Sequence, residues 1–318
     1  MKRKITALFA VLLGMVSVGN AQEYVIYNQY HFHNYLLNPA MAGAVECTHF
    51  MLNHKQQWVG IQNAPHTSIL SFQTRLRSNL GLGAYLFNDR NGHSYQQGGQ
   101  FTLAYHIPMS RGNRHTRNQS LDRQLSFGVS GKFFRYQLSQ EVVDAANMAG
   151  EFIQRRDGIY PNANFGVFYQ SYQFFAGFSA TNMIPVEIDM FGFEEPPRPF
   201  TSMFQIGYGF DAGRDMVLEP SAVFKVDQDS RRQLDLAFRV LQHIDERDIS
   251  WWAGIILKQN LDDGYRPLVL LPHFTIRTGK FRFGYAMNLD LSKLVSHNFS
   301  THEIMIGYSL CRTRRFCR

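Results

Sequence analysis

The feature that most constrains the fold of this chain is a strict alternation of residue types near its C-terminal end. Within Lys280–Ser292, one parity contains Phe281, Phe283, Tyr285, Met287, Leu289 and Leu291, and the other contains Arg282, Gly284, Ala286, Asn288 and Asp290. The segment 300–310 repeats the pattern. A period of two predicts strands with one apolar and one polar face. Such strands fit a soluble sandwich, which buries the apolar face, or a membrane barrel, which turns that face to lipid.

The same alternation recurs along the chain and favours the barrel. We place strands near residues 48–58, 66–76, 79–88, 95–107, 122–137, 162–171, 173–182, 200–210, 215–226, 232–243, 249–259, 266–277, 280–291 and 300–310. Lengths of about 10 to 12 residues suit tilted membrane strands and exceed the roughly 5–6 residues of soluble strands. The prediction is an all-β fold, a transmembrane antiparallel β-barrel of about fourteen strands after an N-terminal non-strand segment. His49–Trp58 alternates poorly, and Pro220 predicts a bulge or an edge.

Composition supports this class and argues against others. Of the 318 residues, 14% are aromatic, which suits strands and the aromatic girdles of membrane barrels. The net charge of +7 raises the question of nucleic acid, but the basic residues are scattered and no recognition module is visible. We therefore expect no nucleic-acid partner.

The lengths of the connections predict which ends of the strands face the periplasm. Alternate connections are short, among them Arg77-Ser78 and Thr278-Gly279, whereas Leu138–Pro161 and Met183–Pro199 on the other side are long. Outer-membrane barrels have short periplasmic turns and long outer loops. An even strand count then places both termini in the periplasm. Pro108–Leu121 breaks the rule as a long connection on the short side, and it is either a partner-binding loop or a solvated linker. Its candidate binding residues are Arg111, Arg114, His115 and Arg117.

The two ends of the chain lie outside the predicted barrel. Residues 1–21 form a signal peptide, with a basic start, an apolar run and Gly19-Asn20-Ala21 before the cleavage site. Residues 22–47 are rich in Tyr, Asn and His and are expected to fold into the lumen or against its periplasmic mouth. Tyr30, Asn34, Asn38 and Pro39 are the candidate lumen residues. The barrel covers residues 48–310, and residues 311–318 form a basic periplasmic tail.

The cysteines and histidines suggest no strong chemical site. Cys311 and Cys317 are close enough in sequence to close a small loop, which would leave Cys47 unpaired. His31 and His33 could share one face as a metal pair, but nearby ligands to complete a set are missing, so we expect neither metal nor cofactor. Ser71 and His106 could be proposed as part of a hydrolase, although nothing in their spacing selects them.

The order of several short motifs resembles the PorP/SprF family, outer-membrane proteins of the type IX secretion system of Bacteroidetes. The resemblance begins at Gln29-Tyr30 and 34–43, and it spans essentially the mature chain. Its further motifs are Gln57–Gly60, Ala64–Thr67, Leu80–Gly83, Asn88-Asp89 with Gly92, Ala104–Ile107, Leu125–Gly128, Ala176–Ser179, Glu219–Ser221, Trp251-Trp252 and Thr301–Ile304. The tail with its two cysteines departs from the expected pattern.

The resemblance implies a non-enzymatic component of type IX secretion. It implies periplasmic ring lipoproteins and other secretion components as partners, together with exported proteins that carry a C-terminal secretion domain, and in some members a link to gliding. The expected location is the outer membrane. Three alternatives remain open: a passive porin or small-molecule transporter, a soluble secreted β protein, and a barrel hydrolase.

Overall fold

A computed structural model gives the fold as one closed antiparallel β-barrel. It describes residues 30–45, 47–109, 123–148, 157–171, 173–186, 200–213, 215–244, 248–262, 265–291 and 300–311. The predicted signal peptide and the tail after Cys311 lie outside the described residues.

Fifteen strand segments make up the barrel. They are β1 (Cys47–Gln56), β2 (His66–Arg75), β3 (Leu80–Asn91), β4 (Ser94–Pro108), β5 (Gln124–Leu138), β6 (Asp157–Ser171), β7 (Phe174–Thr181), β8 (Thr201–Tyr208), β9 (Phe210–Asp211), β10 (Met216–Asp227), β11 (Arg232–Ile244), β12 (Ile249–Asn260), β13 (Arg266–Thr278), β14 (Phe281–Asp290) and β15 (Thr301–Cys311). Both β8 and β9 pair with β10, so they count as one strand, and pairing of β1 with β15 closes a fourteen-strand barrel.

Helical structure is short within the described residues. Two 3₁₀ turns, Asn34–Leu36 and Pro39–Met41, precede the barrel, and one α-helix, α1 (Gln140–Met148), follows β5. The predicted non-strand character of the N-terminal segment is confirmed over its described part. No helix in the described ranges is both long and apolar enough to cross a membrane.

The predicted strands are confirmed in number and order, with two local corrections. Asp157, not residue 162, begins β6, because 157–161 extend the ladder opposite the end of β5. The connection between the strands predicted at 79–88 and 95–107 is a tight hairpin, because β3 and β4 continue pairing as far as Asn91 and Ser94. Gly92, with φ of +59°, supplies the left-handed backbone that so short a turn needs.

Pro220 lies within a strand that is paired on both sides, not at a sheet edge. It stands opposite Phe238 in an unbroken register with β11. On its other side the partner strand is interrupted at Gly209, between β8 and β9, and the Gly209 N–H donates to the Gln173 carbonyl oxygen at 2.8 Å. The missing N–H of Pro220 therefore coincides with a break in the neighbouring strand.

The two predicted strand faces are confirmed. Phe281, Phe283 and Tyr285 are exposed on the outer wall, whereas Asn288 on the opposite parity is buried in the lumen. The outer wall continues around the barrel with large apolar side chains, among them Leu86, Phe101, Leu103, Tyr105, Phe127, Phe204, Ile206, Phe238, Phe274 and Ile304. A continuous apolar outer wall is the arrangement expected of a barrel in lipid.

The predicted cysteine arrangement is wrong. Cys47 and Cys311 are directly opposed residues of β1 and β15, and they form a disulfide across the seam where the barrel closes. Two cysteines that are 264 positions apart in sequence become neighbours because the first and last strands pair. Cys317, the predicted partner of Cys311, lies outside the described residues. We call the barrel end that holds this disulfide the terminal end, and the opposite end, with α1, the loop end.

Candidate functional site: the filled lumen

Residues Tyr30–Ala44, here called the lumen segment, cross the inside of the barrel. The segment leaves β1 at the terminal end, where the Ala44 carbonyl oxygen accepts from Arg75 Nη1 at 3.1 Å. At Tyr30 it reaches the half of the barrel that is nearer the loop end. The Tyr30 hydroxyl donates to Asp235, which lies three residues after the start of β11 at the loop end. Its members are almost all buried: Tyr30, His31, Phe32, His33, Tyr35, Leu36, Leu37, Asn38, Pro39, Ala40 and Ala42.

Tyr35 fixes the segment to the wall at β3–β5. Its side chain is 1% exposed, and its hydroxyl lies 2.8 Å from Thr102 Oγ1. Thr102 also contacts Ser130 Oγ at 2.9 Å and accepts from Gln100 Nε2 at 3.2 Å, while Tyr85 donates to Gln100 Oε1 at 3.0 Å.

Asn38 holds the middle of the segment against the opposite wall. Its Oδ1 accepts from the Ala40 N–H at 2.9 Å and so caps the second 3₁₀ turn, with Pro39 at the first position of that turn. Its Nδ2 donates to the carbonyl oxygens of Val167 on β6 at 3.0 Å and Phe178 on β7 at 3.2 Å. One buried side chain therefore joins the turn to two strands.

Glycines on the lumen parity make room for the segment. A Cβ on Gly128 would lie 2.5 Å from the carbonyl oxygen of Pro39 and nearer still to Ala40 N. A Cβ on Gly81 would overlap the carbonyl group of Ala42. Four more glycines are close to segment side chains, namely Gly83 to Tyr35, Gly166 and Gly177 to Asn38, and Gly284 to Phe32. The absence of a Cβ at Gly81 and Gly83 therefore gives the lumen segment the space that it occupies.

Tyr30 joins a buried ion pair near the loop end. Its hydroxyl donates to Asp235 Oδ2 at 2.8 Å, and the same oxygen lies 2.9 Å from Lys225 Nζ. Lys225 Nζ also lies 5.2 Å from the centre of the Tyr30 ring. Gln233 Nε2 donates to Asp235 Oδ1 at 2.7 Å. A buried carboxylate needs this number of partners to offset its desolvation.

His31 contacts a second buried carboxylate on the adjoining wall. Its Nε2 lies 3.3 Å from Glu303 Oε2, and Lys55 Nζ lies 3.7 Å from Glu303 Oε1. All three side chains are buried, and Lys55 and Glu303 belong to β1 and β15, the strands that close the barrel. The segment therefore contacts charged residues on both sides of the lumen close to the loop end.

His33 faces a different wall from His31. Its Nδ1 lies 3.0 Å from Ser71 Oγ, and its Nε2 lies 2.9 Å from Gln73 Nε2. Because His31 turns to β15 and His33 to β2, the two do not share one face, contrary to the metal-pair interpretation.

The hydrolase residues considered from sequence lie in separate buried pairs. Ser71 contacts His33, whereas His106 Nδ1 lies 2.8 Å from Ser126 Oγ and its Nε2 lies 3.0 Å from the Ala42 carbonyl oxygen. Among the described residues no group of three His, Cys, Asp or Glu could hold a metal ion. In both serine–histidine pairs the hydrogen bonds connect the lumen segment with the wall.

A small cavity lies beside the segment. A cavity of about 20 Å³ lies between Tyr30, Leu37 and the wall at β10–β12, and Asn34 is part of its lining. Such a volume admits about one water molecule. Toward the loop end, Phe134, Leu138, Tyr160 and Val186 pack in one apolar cluster with Tyr35 and Leu36. The lumen is therefore occupied by protein along the path of the segment.

The structure brings together one of the two candidate sets. Tyr30, Asn38 and Pro39 contact the lumen wall as described, and Asn34 is partly buried. Arg111, Arg114, His115 and Arg117 lie outside the described residues. Sequence reasoning did not single out Asp235, Glu303, Lys55 or the lumen glycines as contacts of the segment. In the sequence, these positions are marked only by a charged or very small residue whose side chain faces the lumen.

The fold and the filled lumen together define an outer-membrane-type β-barrel with an internal N-terminal segment. A solved structure agrees on the fold. A mutant of the monoaromatic hydrocarbon channel TodX has a TM-score of 0.50 and 11% identity, with 87% of this chain and 93% of that chain covered. The toluene transporter TbuX of Ralstonia pickettii has a TM-score of 0.49 and 12% identity, with 86% and 92% covered.

The family follows from the sequence model that matches. A model described as type IX secretion system membrane protein PorP/SprF matches residues 19–308. The chain therefore belongs to the PorP/SprF family, as its ordered motifs had indicated. No curated protein sequence matches it significantly.

Proposed function

We propose that this protein is a non-enzymatic component of type IX secretion in the outer membrane, and that it acts as a docking platform with a closed lumen. Its partners are periplasmic ring or motor proteins, exported proteins with C-terminal secretion domains, or both, with a connection to gliding in organisms that glide. The observation that most supports this proposal is the protein segment that occupies the lumen. A passive porin or small-molecule transporter, the main alternative, needs a continuous aqueous path.

The contacts of the lumen segment support a closed state. The segment is hydrogen bonded or ion paired to β2, β4, β7, β11 and β15, which surround the lumen on all sides. Releasing it would remove one hydrogen-bond or ion-pair partner from each of several buried wall groups, among them Asp235, Glu303 and Thr102, at a cost of about 1 kcal/mol for each bond that water does not replace. A segment held in this way favours a stable closure over a freely permeable channel.

The orientation is part of the proposal. The terminal end faces the periplasm, as the short connections on that side favour. Both termini and the loop with Arg111, Arg114, His115 and Arg117 then lie in the periplasm, where this basic loop contacts the secretion machinery. The long connections at the loop end contact exported proteins outside the cell.

Single-channel recording in planar bilayers tests the closed lumen. The wild-type protein should show little conductance, whereas a variant that lacks residues 23–43 should conduct if its barrel still forms, as heat-modifiable migration in gels would report. A steady large conductance of the wild-type protein would refute the closed state and support the porin alternative.

Affinity purification of tagged protein from outer membranes tests the docking role. We expect periplasmic components of type IX secretion to co-purify, and replacement of all four basic loop residues by Gln should weaken that association. A barrel that purifies alone after gentle cross-linking would contradict the docking role, whatever its conductance.

A further inference from the structure

Two arginines face each other on the lumen wall at the terminal end of the barrel. Arg277 and Arg282 are directly opposed residues of β13 and β14, and they are the last lumen-facing pair before the turn at Gly279-Lys280. Like charges in directly opposed positions of a sheet destabilise it. Negative charge beside this pair would therefore stabilise the wall.

The described carboxylates of this part of the wall leave Arg282 without a partner. Arg277 Nη2 donates to Asp248 Oδ1 at 3.3 Å, and Glu219 accepts from Arg239. No hydrogen bond or ion pair joins Arg282 to another residue that the structure describes. One positive charge of this group is therefore not neutralised.

Trp252 on β12 holds the Arg282 guanidinium in position. The Arg282 Cζ atom lies 5.0 Å from the centre of the Trp252 ring, so the side chain reaches from β14 across β13. An aromatic ring contacts the face of a guanidinium and leaves its N–H edges able to donate. The guanidinium is thus fixed in place while its donors stay available.

Three buried donors lie beneath and beside this guanidinium. Thr275 is paired with Trp252 across β12 and β13; its side chain is fully buried, and its Oγ1 makes no hydrogen bond to the described residues. Arg277 Nη1 and Arg282 Nε are likewise buried without hydrogen-bond partners there. Buried polar groups without partners are costly and rare, and they point to a bound ion or water. A ligand that only accepts hydrogen bonds would match all three.

We propose that Thr275, Arg277 and Arg282 bind a small carboxylate anion from solution. A carboxylate only accepts hydrogen bonds, its two oxygens match a guanidinium, and its single charge equals the one that is not neutralised. A small anion fits better than an acidic side chain of a partner protein, because Thr275 and Arg277 are only 0% and 3% exposed. Arg282 is partly exposed and gives the anion access from the terminal end. The assignment does not depend on the docking role.

Saturation-transfer difference NMR of the full-length protein in deuterated mild detergent tests the site, with sodium acetate as the probe. Sodium chloride keeps the ionic strength constant, because salt screens exposed charges. We expect saturable binding of acetate, and acetate should also raise the unfolding temperature, since it binds the folded state. Inorganic phosphate at pH 7.5 should displace acetate only weakly, because its second charge has no counterpart in the site. Absence of saturable acetate binding, or tighter binding of phosphate than of acetate, would overturn the proposal.

Thr275→Val distinguishes a ligand site from a purely structural role. It removes a hydroxyl that has no described protein partner and keeps the shape of the side chain, so the barrel without acetate should be no less stable than wild type. Acetate should nevertheless bind about fivefold more weakly, as expected for one lost hydrogen bond.

Arg282→Gln and a matched control locate the charge that binds. Arg282→Gln should weaken acetate binding by about tenfold or more, because it removes a charged donor. The control, Arg77→Gln, removes the same charge from an exposed residue between β2 and β3 at the terminal end, and it should bind acetate as wild type does. Wild-type affinity in either site variant, or an equal loss in the control, would refute the site.

Discussion

Replacing Gly128 by alanine should push the lumen segment out of its position, whereas the same change at Gly131 should not. Both glycines belong to β5, three residues apart and on opposite faces of the wall. A Cβ on Gly128 meets backbone atoms of Pro39 and Ala40, but a Cβ on Gly131 meets nothing within 4 Å. The two substitutions therefore add the same methyl group to the same strand, but only the methyl group at residue 128 meets the lumen segment.

The magnitude follows from what holds the segment at this point. The contact with the Pro39 carbonyl oxygen must lengthen by at least 0.5 Å, the difference between 2.5 Å and the 3.0 Å that real Cβ contacts require. Overpacking of this kind costs about 1–3 kcal/mol. Retreat of the turn also strains the bonds of Asn38 to Val167 and Phe178, at about 1 kcal/mol each if they break. If both bonds break, the total is about 3–5 kcal/mol, which raises the released fraction of the segment at least about 100-fold.

Chymotrypsin digestion of folded, detergent-solubilised protein measures the released fraction. Tyr30, Phe32 and Tyr35 are cleavage sites for this protease, and all three are buried in the lumen. We expect much faster cleavage within 30–44 for Gly128→Ala than for wild type, and wild-type rates for Gly131→Ala. Equal cleavage of the two variants, with both barrels intact by heat-modifiable migration, would refute the packing argument.

Two further predictions follow from the same structure. Asn38→Ala removes three hydrogen bonds and should destabilise the bound position of the segment by about 3 kcal/mol, which faster chymotrypsin cleavage would show; wild-type protection would contradict the capping role. Reduction of the Cys47–Cys311 disulfide should lower the free energy of unfolding of the barrel by up to about 5 kcal/mol in the chain-entropy model, and with it the unfolding temperature. Cys47→Ser should show the same loss with no further response to reductant.

Local sequence patterns predicted most of the fold. Each strand can be recognised from the alternation of apolar and polar residues within about ten positions. A strand with lipid on one side and the lumen on the other must show this alternation. For this reason, the order and approximate bounds of fourteen strands followed from sequence alone. The errors occurred where local signals are weakest, as at Asn88–Ser94, where pairing continues through polar residues that resemble a loop.

Distant contacts could not be obtained in the same way. Glu303 and Asp235 appeared in the sequence only as charged residues on the lumen parity, and nothing local assigns them to His31 and Tyr30. Those partners are 272 and 205 positions away, respectively, since 303 less 31 is 272. The Cys47–Cys311 disulfide was not foreseen for the same reason, because proximity in sequence suggested only that Cys311 and Cys317 could close a loop.

The sequence by itself determined that this chain is all-β and forms a barrel with a lipid-facing wall, because the residue types of short segments show both properties. Only the tertiary structure decided that the lumen is filled, which wall glycines admit the segment, and which charges it meets. Closure of the barrel sets those outcomes. It fixes the register of β1 against β15 and brings opposite walls to the distances at which Tyr30–Ala44 can contact both.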